Sequence, residues 1–494
     1  MEKNKVNLEL IRQDWLTELR NLQMKFIEDF DKGNNNPKDG AAGIMIMGDG
    51  APFYISSTQQ ALDDKYGKGK YQLEVVAAIG LSQGEDKLIG PPSWKLDPQR
   101  IKGSLISAVL GDGDWVTTVN YAFANGVKVN PDPTTYDADA VNFLPSANDD
   151  YIESAKELIK SQKQNWTVPL KEVVNGKLTG KTIDKKVDGC ATWTPGDKMV
   201  FDELSGFTDI VSTKEFNNQM PTVIIVLKQW AERNSDLVSR ILKSTYTATN
   251  QMKQYDSWQK QAAECVAKTF NMENADYWYT MFKGTKGEKN GISYNMGGSK
   301  VLNYADAKQY FGLTDGVNRY KSVYDQVSNY LKILNPGGFN QNIKSIVPYD
   351  KAVNLKYLND ISDVDAGVVE VTDYSKKATS LLASGEWNIN FDNGRATIRP
   401  EANDILNQIY NLLIQAETAK LEITGHTDAS GTKEGNYSLS TARAEAVKTF
   451  LMNKGVPFSR FQKIDGKGQD EPIADNGSDA GRAKNRRVEI KLLK

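Results

Sequence analysis

Short apolar runs alternate with helix-period segments along most of this chain, and glycine clusters follow many of those runs. GIMIMGDG gives way to STQQALDDKYG and then to YQLEVVAAIG; KGSLISAVLGDGDW passes into the helical WVTTVNYAFANG, closed by Asn125-Gly126; DDYIESAKELIKSQ leads to KVDGCATWTPGD. An apolar run without polar alternation is covered on both faces, so this spacing predicts α/β units with mostly parallel strands. Sheets of that kind meet their ligands at the C-terminal ends of strands, which is where these glycines fall. Asn217 to Lys332 then reads mostly helical, with one more apolar strand at TVIIVLK and tryptophans at Trp230, Trp258 and Trp278.

Ahead of these units, Leu8, Ile11, Trp15, Leu19, Leu22, Phe26 and Phe30 recur at spacings of three and four. They form one apolar stripe on a helix, which either packs on the next domain, pairs with a partner helix or follows a removed membrane segment. DKGNNNPKDG breaks the pattern, and the acidic, aperiodic DISDVDAGVVEVTDYSKKATS marks a later boundary. The expected organisation is an N-terminal helix and linker over 1–40, a large domain over 41–360, a linker over 361–384 and a final domain over 385–494.

The final domain alternates again: EWNINFDNG as strand, RPEANDILNQIYNLLIQ as helix, KLEITGHTD as strand, SLSTARAEAVKTFLMNKG as helix, RFQKIDGKG and RRVEIKLL as strands. This predicts a two-layer α/β sandwich. A strand ending in Gly425-His426-Thr427-Asp428 delivers a carboxylate to a loop, and Ser440 is placed to cap a helix whose first turns carry Arg443. An exposed acid and guanidinium on adjacent elements can grip a zwitterion, the Asp taking an ammonium and the Arg a carboxylate bidentately. The alternative is an internal salt bridge between the two.

ITGHTDASGTKEGNYSLSTARAEAVKTFLMNKGV and GRAKNRRVEI resemble the signature of OmpA-like domains, including those of peptidoglycan-associated lipoproteins and flagellar stator proteins. The resemblance implies that Asp428 and Arg443 recognise the diaminopimelate of a peptidoglycan stem peptide, supported by Asn436 and Arg486, with Asp392 of FDNG approaching the ligand from an early loop. Arg487 is expected in the closing strand or in a surface ion pair, and His426 as a packing residue at a strand end.

The large domain resembles type II periplasmic solute-binding proteins, in the branch of nitrate, sulfonate and thiamine-precursor receptors. KGSLISAVLGDGDWVTTVNYAFANGVKVNPD and KKVDGCATWTPGD carry that resemblance. It implies two lobes closing on a small-molecule ligand, in a cleft lined by Gly48, Asp49 and Gly50, Ser82 and Gln83, Gly111, Asp112, Gly113 and Asp114, and Trp193 and Thr194. Glycines there permit close backbone approach, and Trp193 can stack on a ligand. Each residue also has a plain reading, as a turn glycine, a helix cap such as Asp114, or a core tryptophan. A buried carboxylate facing an anion costs several kcal/mol. The aspartates therefore either cap helices and point away, or the ligand carries an amine or a ring nitrogen.

Composition narrows the function classes. With 494 residues, 39% hydrophobic and 25% charged, the chain can bury two or three ordinary cores. A net charge of −2 gives no overall drive toward nucleic acid, and a single histidine, His426, argues against a histidine-based metal centre. No cofactor is expected. GDGAPF and GDGDWV lack the third glycine of a dinucleotide fingerprint, and neither a nucleophile elbow nor a Walker loop is present, so the expectation is a non-enzymatic protein. Cys190 and Cys265 fit either one disulfide or two buried thiols, with Cys265 on the apolar side of a helix. No run approaches the roughly 18 residues of a membrane span, and no secretory signal opens the chain. A wall-binding domain needs export to the periplasm or cell envelope, so a mature or truncated form, or release by an unusual route, is expected.

The resulting expectation is a wall-anchored, solute-binding receptor of the envelope, related to the receptors of ABC transporters or associated with the outer membrane. The alternative is a structural tether whose large domain docks onto an envelope protein partner.

Overall fold

The computed structural model describes residues 16–35, 43–47, 51–271, 273–334, 343–370, 372–387, 389, 391 and 394–494. The stripe of the first segment lies on helix Leu16–Asp31, where Phe26, Ile27 and Phe30 are buried. Phe26 meets Trp230 edge-on at 5.9 Å and Phe30 meets Tyr71 at 6.2 Å, so this helix packs on its own chain. Leu8, Ile11 and Trp15 lie outside the described residues.

Two sheets build the large α/β region. The first has the strand order Ile44–Met47, Pro221–Leu227, Leu73–Ser82, Ser299–Val301, and each neighbouring pair is antiparallel. This corrects the expectation of parallel strands for that unit. Double-sided burial shows that both faces are covered and says nothing of direction. Pro221–Leu227 arrives from the second sheet and runs against its neighbours. The second sheet has the order Thr208–Ser212, Lys87–Gly90, Gly189–Thr192, Leu105–Ala108, Ala140–Pro145, Lys128–Val129. From Gly189–Thr192 onward it is parallel, whereas Lys87–Gly90 runs against both its neighbours.

The chain crosses between these sheets at 83–86 and returns at 213–220, and the crossings are stitched together. Ser82 Oγ lies 2.6 Å from Thr213 Oγ1, Gly84 N donates to Thr213 Oγ1 at 2.8 Å, and Gln83 Nε2 donates to Asn217 O at 2.6 Å.

The region also carries two exposed hairpins, unmarked by the apolar pattern of its other strands. Thr167–Val174 pairs with Lys177–Lys186, and Thr285–Lys289 with Ile292–Met296. Each turns on Asn-Gly with both residues at positive φ (Asn175 50°, Gly176 74°; Asn290 52°, Gly291 77°), the dihedral signs of a type I′ hairpin. Little of either hairpin is buried, so its strands lack the apolar pattern that marks the others.

The C-terminal sheet has the order Leu381–Trp387, Val488–Leu493, Lys420–Gly425, Phe461–Gly466, with the last pair parallel. Its first strand begins inside the stretch read as a linker. Helices Asn403–Gln415 and Lys433–Asn453 bury Leu406, Ile409, Leu413, Ala444, Val447 and Leu451. Arg460, wholly buried, donates to the carbonyls of Leu413, Ala416 and Ala419 at 2.7–2.9 Å, tying the end of the first helix to the turn that follows it. Burial lowers its pKa.

Cys190 is buried in its strand, and both cysteines are free thiols. Cys265, expected on an apolar face, is exposed: helix Asp256–Phe270 buries Ala263, and even its Trp258 is 39% exposed. No helix among the described residues is long and apolar enough to cross a membrane.

Candidate functional site

The end of strand Lys420–Gly425 is shaped by a close approach. A Cβ at Gly425 would stand 2.1 Å from Ser440 O, and one at Gly466, its partner across the parallel strands, 2.3 Å from Thr441 Oγ1. Helix Lys433–Asn453 therefore lies directly over the strand ends. Thr432 caps it by accepting from Gly435 N at 3.1 Å. Ser440 was expected to be the cap; it sits inside the helix and donates to Tyr437 O at 2.8 Å, while its Oγ accepts from Gly468 N. Spacings of four and three put Asn436, Ser440 and Arg443 on one helix face, and that face covers the loop after Gly425.

Asp428 and Arg443 were expected to be exposed, yet they are 8% and 4% exposed, because helix and loop close over each other. They do not neutralise one another. Asp428 Oδ2 accepts from Arg486 Nη1 at 2.6 Å, and Oδ1 accepts from Ser430 N at 2.9 Å. Burial pushes this carboxyl up, but Arg486 and Ser430 outweigh it and hold it below the usual carboxylate range. Arg443 donates through Nε to Arg395 O at 3.2 Å, and its guanidinium stands 5.0 Å from the Phe391 ring centroid. Burial, and then the like charge of Arg486, lower its pKa. Among the described residues no acceptor is assigned to its two terminal nitrogens, and the guanidinium is near enough to feel both charges of the Asp428–Arg486 pair.

Asn436 ties the loops together, donating to Asp428 O at 3.2 Å and Gln469 Oε1 at 2.7 Å. Asn485 was missed by sequence reasoning. Its Oδ1 accepts from Ile473 N and Ala474 N, and its Nδ2 donates to Asn476 Oδ1, which also accepts from Ala429 N beside Asp428. Its position in GRAKNRR, next to Arg486, was the available signal. Arg487 donates to Glu471 O, and His426 is buried with Nε2 3.8 Å from Glu489, beyond hydrogen-bond reach. Asp392 lies outside the described residues.

Residues 390–486 match the model of the OmpA family. This segment is an OmpA-family domain. Outer membrane protein A of Bordetella avium is 38% identical over 103 residues, which are 21% of this chain and 53% of that protein. Peptidoglycan-binding protein ArfA of Mycobacterium bovis is 39% identical over 102 residues, 21% of this chain and 31% of its own. The chain thus spans about half of those curated relatives, or less. Among solved structures, the cell wall anchor of the T6SS from Pseudomonas aeruginosa is 29% identical, covering 24% of this chain and 86% of its own at a TM-score of 0.21. The peptidoglycan-associated lipoprotein from Burkholderia pseudomallei is 28% identical, covering 21% and 88% at 0.20.

The OmpA-family domain is docked on the crossing segments of the large region. Asn218 N donates to Gln415 O at 3.0 Å, Asn218 Nδ2 to Ile414 O at 3.0 Å, and Glu417 N to Asn217 Oδ1 at 3.0 Å. Arg319 grips Glu417 with two bonds of 2.9 and 3.1 Å, and Asn120 donates to Gln415 Oε1 at 2.8 Å.

The residues expected in a ligand cleft are partly gathered at one edge of the second sheet. Asp112, rather than Asp114, caps helix Gly113–Ala124. Ser82 and Gln83 belong to the stitched crossing, Trp193 is half-buried against Tyr151 at 4.4 Å, and Thr194 donates to Asp197 Oδ2 at 3.0 Å. Gly48, Asp49 and Gly50 lie outside the described residues. On the other side of the Gln83–Gly84 crossing, a cavity of about 750 Å³ is lined by Lys214, Lys253, Lys283, Lys286 and Lys300. Among the described residues no group of three His, Cys, Asp or Glu side chains is arranged to hold a metal ion.

Proposed function

We propose that this protein is a non-enzymatic binding protein of the cell envelope, held to peptidoglycan by its OmpA-family domain and presenting the large α/β region as a solute receptor. One observation carries the wall-binding part: Arg443 is fixed beside Asp428 without being neutralised by it. A diaminopimelate side-chain terminus carries an ammonium and a carboxylate on one carbon. The carboxylate fits the Arg443 fork, and the ammonium fits Asp428, with Arg486 holding that carboxylate ionised. The names of the relatives as outer-membrane or peptidoglycan-binding proteins agree with an envelope location. The receptor reading draws support from the two sheets joined by paired crossings, and from loops gathered where the parallel strands end.

The test is pull-down of the whole chain by diaminopimelate-type sacculi. Asp428→Asn and Arg443→Ala should each abolish retention, and free meso-diaminopimelate should compete with the unaltered protein. Retention by both variants, with thermal unfolding unchanged, overturns the assignment.

A further inference from the structure

We propose that the interlobe edge of the second sheet binds an organic cation, a small solute carrying a primary amine or guanidinium, with Asp112 and Asp114 as its counter-charges and Tyr151 and Trp193 as an aromatic wall. This rests on the receptor reading above and names the ligand class of that site.

Strand register brings the parts together. Thr192 pairs with Lys87, and Lys87 with Ser212; Cys190 pairs with Ser107, and Ala108 with Pro145. The segments that leave these positions therefore emerge along a single edge: Asp86, Asp112 to Asp114, Ser146, Trp193 to Asp197 and Thr213. The crossings turn that edge toward the first sheet.

Charge along it is one-sided. Lys87 is buried and ion-paired with the buried Asp197, so its charge is already matched. Asp86, Asp112 and Asp114 remain; burial raises all three, and the nearby Asp112 adds to the rise of Asp86, up to about 7, and, with Asp86, to that of Asp114, well above the carboxylate range. Held this high, Asp114 is a neutral acid until an entering cation favours its ionised form, which an anion would oppose further.

Two buried polar atoms lack a partner at this edge. Asp114 is 2% exposed; its Oδ1 accepts from Trp115 N, but Oδ2, on the carboxylate that feels Asp112 and Asp86, accepts from nothing among the described residues. Ser146, whose N–H is anchored on Ala108 O, is 5% exposed with its Oγ unsatisfied. Buried polar groups are rarely left unmade, and an ammonium or guanidinium supplies the missing donors. The half-buried Trp193 ring offers a face for the same charge. The absence of a preformed three-ligand cluster among the described residues favours an organic cation over a metal ion.

The experiment is thermal shift and titration calorimetry on the whole chain at low salt, with putrescine, arginine and choline set against taurine, sulfate and calcium. At least one of the amine or guanidinium probes should raise the unfolding temperature dose-dependently. The isosteric Asp114→Asn should weaken that probe about tenfold or more, as should Trp193→Ala, with sacculus binding by both variants serving as the check on folding. Stabilisation by calcium alone overturns the organic-cation class in favour of a metal ion, and stabilisation by taurine or sulfate alone overturns the cation class but leaves a receptor, with the lysine-lined cavity as the anion site. Silence from all probes overturns the receptor reading as well. Unchanged amine binding by Asp114→Asn overturns the assigned edge.

Discussion

Replacing Glu417 by alanine tests whether the OmpA-family domain and the large region form one cooperative body. Its carboxylate accepts from Arg319 Nε and Nη2 and from Asn218 Nδ2 at 2.6 Å and Tyr374 Oη at 3.2 Å, while the Glu417 and Arg319 side chains are only 17% and 10% exposed. Burial pushes the Glu417 pKa up, but the Arg319 pair outweighs it and leaves the pKa lowered, so the pair is ionic at neutral pH. Removing one partner of a buried pair costs about 3–5 kcal/mol, because the other charge is stranded. Arg319 would retain Asp315 at 2.8 Å and the carbonyls of Val317 and Gln309, which places the expected loss at the lower end, ~3 kcal/mol. The assay is urea unfolding followed by tryptophan fluorescence, because Trp387 of the C-terminal sheet packs against Phe123 of the large region at 6.5 Å. A cycle with Arg319→Met isolates the pair itself, with a coupling of about 2–3 kcal/mol expected for a desolvated network. A coupling below ~0.5 kcal/mol would refute the reasoning, since it would mean that the Arg319–Glu417 pair does not help to hold the domains together.

Gly425→Ala should cost about 1–3 kcal/mol by overpacking, because the added methyl would meet Ser440 O, a backbone atom that cannot swing away; an unchanged melting temperature would show that helix and strand are not in the contact described. Burial, with neighbouring carboxylates adding to it, raises Glu85 and Asp86 to about 7. Groups raised in the folded state contribute stability that is complete below the unfolded carboxylate pKa of about 4 and is lost as pH climbs through about 7. The melting temperature should therefore fall between about pH 4 and 7, and Asp86→Asn should flatten that fall. The lowered Asp428 and Glu417 act in the opposite sense, losing their contribution as pH falls below the unfolded range, so they leave that window untouched.

The candidate site was legible in unequal parts. Asp428, Asn436, Arg443 and Arg486 stand in a short signature, and the structure brings them within one cluster. The partner of Asp428 was not legible. Position 486 is far from 428 in sequence, and only the antiparallel pairing of Lys420–Gly425 with Val488–Leu493 carries the Arg486 side chain to the loop. Solvent exposure of the pair was misjudged for a related reason: polarity suggests surface, but a helix lying over Gly425 and Gly466 covers both charges.

The sequence by itself determined the mixed α/β character, the positions of the strong strands and of the main helices, and the C-terminal signature. These follow from periodicity and turn chemistry acting over a few neighbouring residues. Tertiary structure alone decided that the first sheet is antiparallel, that Arg486 claims Asp428, and that Glu417 locks the OmpA-family domain onto the crossings through Arg319 and Asn218. Each of these is a contact between residues distant in the chain, and no local preference encodes which of many similar groups will meet once the cores have packed.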